Sequence, residues 1–176
     1  MFCGRRGGRL RWRRDTFKLQ ASLICGGVLL LGGGMVKFIC GGPWGTRGAL
    51  QLGEALPSVA WMTVFWSVWY FCLGCVFGAV MFNERCGVVS VRTVAKYRGT
   101  AYFACMIVLS FLWYPLFFLA ARFALCALLS AVLTFLAIAA GLDYAKVYRL
   151  AGVVVLMYAA VLLVATICSI RLLFRT

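Results

Sequence analysis

From Ala101 to Gly141 the chain carries a single charged residue, Arg122. Drawn as one helix, that run would be about 60 Å long, twice the thickness of a bilayer's hydrocarbon core. It must therefore fold back on itself, and the natural break is Leu119 to Arg122, which gives two antiparallel helices joined by a very short turn. A stretch so long and so apolar needs lipid around it.

The rest of the chain follows the same logic. It has 176 residues, 65% of them hydrophobic, and at roughly 20 apolar residues per crossing this length allows five or six crossings and no soluble domain. The expected fold class is all-α: a bundle of five transmembrane helices over residues 19–176, preceded by a basic tail, residues 1–18. The spans are placed at about 19–38, 57–82, 99–118, 122–142 and 147–173. Span one is rich in glycine, and span two carries Gly74 and Gly78 at GxxxG spacing, which suits a close helix contact.

Charge fixes the expected orientation. The N-terminus packs Arg5, Arg6, Arg9, Arg11, Arg13, Arg14 and Lys18 against Asp15, and five crossings put thirteen of the 18 basic residues on the N-terminal side. By the positive-inside rule that side is cytoplasmic. The formal charge of +14 therefore reflects topology, with membrane lipid as the partner and no nucleic acid, because the basic residues lie at the ends of apolar segments and not along one soluble face.

Several chemistries are excluded or disfavoured. There is no histidine, so the commonest general base, haem ligand and zinc partner are missing. The carboxylates Asp15, Glu54, Glu84 and Asp143 all fall in expected loops or the tail, leaving no buried acid for a proton relay. The nine cysteines are scattered, and within apolar spans a thiol packs as a small hydrophobe. Cys72 and Cys75 in CLGC read the same way, so no metal site and no required cofactor is expected.

The stretch SFLWYPLFF, Ser110 to Phe118, is crowded with rings. Trp61, Trp69 and Tyr114 suit an interfacial belt. Trp66 and Tyr70 instead stand four apart on one helical face inside span two, and Trp113 and Phe117 repeat that spacing in span three. A buried indole N–H wants a partner that lipid does not supply, so Trp66 and Trp113 should point into the bundle. Two arrangements satisfy that: ordinary core packing, or a ring-lined cavity able to stack a planar hydrophobic ligand, with Pro115 bending its helix to open it.

Three segments carry a resemblance. LSFLWYPLFF is similar to the pattern LNxxWxPLFF, VFWSVWYFCLG to PVWxxLYxxMG, and RLAGVVVLMYAAVLLVATICSI to sLAGxLLxPYLxWxxFATxLNxxI. In order and separation they resemble the translocator protein family, also called tryptophan-rich sensory protein or peripheral-type benzodiazepine receptor. The likeness covers about Leu56 to Ile170.

That resemblance implies a five-helix receptor or sensor that binds porphyrins, sterols and synthetic aromatic ligands within the bundle, often as a homodimer. A porphyrin or haem-type ligand is the expected one. Carried over position by position, the ligand-facing residues are Met62, Phe65, Trp66 and Tyr70 on span two, and Ser110 and Trp113 on span three. Span four adds Phe123 and Cys126, and span five Ala165 and Cys168. The alternatives are a light-dependent porphyrin-degrading catalyst and a transporter of tetrapyrrole or sterol between leaflets. The membrane implied is a bacterial envelope or the mitochondrial outer membrane. Ser110 replaces a usual asparagine, Met157 a common proline and Ala127 a frequent aspartate, which makes the site less polar. At the end of span five, Ile170 stands where the sterol-associated pattern has tyrosine.

Overall fold

In the computed structural model the described residues are 6–39, 59–82, 91–118 and 122–174. They form five helices: α1 (Arg6–Ile39), α2 (Val59–Met81), α3 (Val91–Phe118), α4 (Phe123–Val147) and α5 (Arg149–Leu173). Glu54, Glu84 and the expected loops around them lie outside the described residues.

Among the described residues, four segments are long and apolar enough to cross a membrane: Thr16–Val36, Val64–Met81, Ala124–Val147 and Arg149–Arg171. The expectation of five transmembrane helices is met for four of them. Helix α3, which opens with Arg92, Lys96 and Arg98 ahead of its apolar turns, is not among them. The helix also begins at Val91, well before residue 99.

Two other boundaries move. The basic segment is helical from Arg6 and runs without a break into the first span, since arginine is a good helix former and no proline intervenes. Residues 143–147 continue α4, and the joint to α5 is Tyr148 alone, extended at φ −146° and ψ 110°. The Tyr148 N–H donates to the Tyr144 carbonyl at 2.8 Å and its own carbonyl accepts from the Gly152 N–H at 3.2 Å. Gly152 is required at this elbow, because a Cβ there would lie 2.5 Å from the Cβ of Ala145.

Asp143 also overturns the expectation that no acid is buried. Its residue is 3% exposed. The Arg98 guanidinium holds it from α3 at 2.6 and 2.7 Å, and Lys146, one turn along α4, adds a third contact at 3.0 Å. A fully satisfied carboxylate can stay in a helix at this depth, and the pairing ties α3 to α4. Both cations are about half exposed, so the cluster marks one end of the bundle near water.

The helices pair in sequence order, α1 with α2, α3 with α4 and α4 with α5. In the α1–α2 pair the backbones touch. A Cβ on Gly74 would collide with the Cys25 carbonyl oxygen, and one on Gly78 would lie 2.5 Å from the Cα of Ser22. Without a hydrophobic drive between helices in lipid, such close approach supplies the dispersion contacts that hold a pair together. The α1–α2 pair meets the α3–α4–α5 unit much less closely. Large side chains fill the seam between them.

Candidate functional site

Helix α2 turns Trp66, Trp69, Tyr70 and Phe77 toward this seam, a set at spacings of three, four and seven residues on one face. Each ring meets a ring from the other unit. Trp66 lies 6.2 Å from Trp113 of α3 and edge-on to Tyr158 of α5 at 6.3 Å. Trp69 packs on Tyr158 at 5.6 Å, Tyr70 on Phe111 at 5.6 Å, and Phe77 stacks on Phe103 at 5.5 Å. Trp69, expected in an interfacial belt, is therefore part of the seam. The crowding of rings in both segments has a mechanical reason: only side chains of this size bridge helices whose backbones stand apart.

The rings leave a cavity of about 30 Å³, room for about two waters. All five helices border it: Gly33 and Val36 from α1, Trp66 and Tyr70 from α2, and Ser110, Phe111 and Trp113 from α3. Leu133 comes from α4, and Tyr158, Leu162 and Ala165 from α5. None of these side chains is charged.

Hydroxyls in an apolar interior need partners, and most find them on their own helix. Ser130, Thr134, Thr166 and Ser169 each donate to a carbonyl three or four residues back. Ser110 donates to the Ile107 carbonyl at 2.8 Å and receives the Tyr70 hydroxyl at 3.5 Å, the outer limit for such a bond. Tyr158 is the exception at the cavity. Its side chain is 1% exposed, and its hydroxyl has no hydrogen-bond partner among the described residues. Tyr144 has a similarly buried hydroxyl beside Thr100, at the ion-paired end and away from the cavity.

Of the residues expected at the site, Trp66, Tyr70, Ser110, Trp113 and Ala165 come together around the cavity. Phe65 does not: it is 45% exposed and lays its ring edge-on against Trp66 and Trp69 from outside. Cys126 is buried on α4, away from the cavity lining, and Cys168 is exposed. The lining face of α5 runs through Tyr158, Leu162 and Ala165, so its next position is Ser169, and Cys168 falls to the side. The side chains of Met62 and Phe123 lie outside the described residues, as do those of Trp61, Tyr114 and Phe117. Sequence reasoning missed Tyr158, Phe111, Leu133, Leu162, Gly33 and Val36. Only Tyr158 bore a signal, as the tyrosine of the span-five motif in the middle of an apolar run.

The model of the TspO/MBR family matches residues 24–175, which takes in α2 to α5 and the later part of α1, where no motif had been recognised. The chain belongs to the TspO/MBR family. This is the family that the three span motifs resemble, and it makes the chain an integral membrane protein of a sensor or binding type. No curated protein and no solved structure matches the chain. The detail of its site therefore rests on its own geometry.

Proposed function

We propose that this TspO/MBR chain binds porphyrins and related planar lipophilic ligands in the ring-lined cavity on the seam, with α3 as a fifth crossing and the basic N-terminus on the cytoplasmic side. The observation that carries the reading is the convergence of Trp66, Trp113 and Tyr158, from three helices, on one uncharged cavity. Flat indole and phenol faces offer stacking area, and the bundle keeps water away from it.

The cavity as it stands is far smaller than a tetrapyrrole. Binding therefore requires the seam to widen, and the seam is the interface whose contacts are side chains and not packed backbones. Titration of the purified protein with protoporphyrin tests the proposal. Stoichiometric quenching of tryptophan emission is expected, weakened in Trp66→Phe and in Trp113→Phe. Emission unchanged through the titration would remove the proposal.

A further inference from the structure

We infer that the part of a ligand that enters this cavity is an uncharged ring system bearing a hydrogen-bond acceptor, and that the Tyr158 hydroxyl is the donor that anchors it. The inference rests on the binding reading above and narrows it to a chemical class.

Charge limits what can enter the hollow, and among the hydroxyls that line it elimination leaves one. Every lining side chain is neutral, so a carboxylate or ammonium drawn inside would lose its water and find no counter-charge. Ionised substituents must stay outside the ring-lined space. Three hydroxyls belong to the lining, those of Tyr70, Ser110 and Tyr158. The Ser110 proton is committed to the Ile107 carbonyl, and the Tyr70 hydroxyl leans on Ser110. Tyr158 alone of the three has its proton uncommitted among the described residues.

While the seam is closed, packing keeps the Tyr158 ring from reaching another partner. It is wedged between Trp66, edge-on at 82°, and Trp69, tilted at 50°. A buried donor held without an acceptor is a standing cost that a guest carbonyl or ether oxygen removes on entry, whereas a guest that offers only N–H leaves that proton where it was. The same rings that hold the phenol supply the faces on which the guest's rings stack.

Three isosteric probes separate these terms. Fluorene, 9-fluorenone and carbazole share one planar tricyclic frame and place a methylene, a carbonyl and an N–H at the same position. With the full-length protein in detergent micelles, fluorenone should bind about fivefold to tenfold more tightly than fluorene or carbazole. Tyr158→Phe should erase that preference and, because it removes the unmatched hydroxyl, should not lower the thermal unfolding temperature. Partition into detergent differs among the three probes but is common to the wild type and Tyr158→Phe, so the change in the fluorenone-to-fluorene ratio between the two proteins is free of it. The carbonyl stretch of bound fluorenone should lie at lower frequency in the wild type than in Tyr158→Phe. A carboxylate on the fluorenone frame should weaken binding.

An undiminished fluorenone preference in Tyr158→Phe overturns the assignment of the anchor, and tighter binding of carbazole or of the carboxylate overturns the ligand class. In either case, tryptophan quenching by protoporphyrin would show that the cavity reading itself survives. If neither protoporphyrin nor any probe alters tryptophan emission, both fall together.

Discussion

Helix α2 has two faces, and they are built by opposite means. Toward α1 it presents Gly74 and Gly78, and the backbones meet with no room for a methyl group. Toward α3 and α5 it presents Trp66, Trp69, Tyr70 and Phe77, and rings hold the backbones apart. Contact through glycine has a single solution, because nothing in it rotates. Contact through rings has many, since each side chain can change rotamer and pair with a different neighbour. The comparison explains why the cavity lies where it does: a fixed interface cannot open, and a ring-filled seam can.

Substitutions that convert one kind of face into the other give the largest effects. Gly74→Leu forces a side chain into the α1 backbone and should cost about 3 kcal/mol or more, read as a large drop in thermal unfolding temperature in detergent. If the variant unfolds like the parent, the glycine face is not the fixed one. Trp66→Ala removes a half-buried ring from the seam and should cost roughly 2 kcal/mol of stability, less than a fully buried tryptophan, together with about tenfold in protoporphyrin affinity. A loss of stability with affinity intact would place the ligand elsewhere.

Asp143→Asn tests the ion-paired end. It uncouples Arg98 and Lys146, and because both are half exposed the expected loss is about 1 to 2 kcal/mol, below that of a fully buried pair. Ligand affinity should stay within about twofold of the parent, since the substitution removes no cavity-lining residue. The smallest effect is expected for Cys168→Ser, an exposed position off the lining face, with stability within about 0.5 kcal/mol and binding unchanged. A weakened titration there would return Cys168 to the site.

Much of this bundle was legible in the sequence. Apolar run lengths located the helices, and the single arginine in the longest run marked the α3–α4 turn. The ring pairs at four-residue spacing pointed Trp66 and Trp113 inward. What stayed hidden has two physical causes. Lipid is as apolar as a protein core, so Leu133 and Leu162 at the cavity look in sequence like Leu128 and Leu163 on the outer surface. Long-range pairing is invisible too: Asp143 reads as a loop marker until Arg98, 45 positions earlier, is brought against it. Tyr158 lay between these cases, with the motif naming the residue and only the packing revealing its unmatched hydroxyl.

The elbow at Tyr148 carries a last consequence. A joint of one residue leaves α4 and α5 no slack to slip along each other, so a guest arriving between the two units must displace α1 and α2 as a lid. Amide hydrogens along α4 and α5 should then exchange slowly whether the chamber is empty or full, and occupancy should register on the opposite wall, in the mobility of the lid.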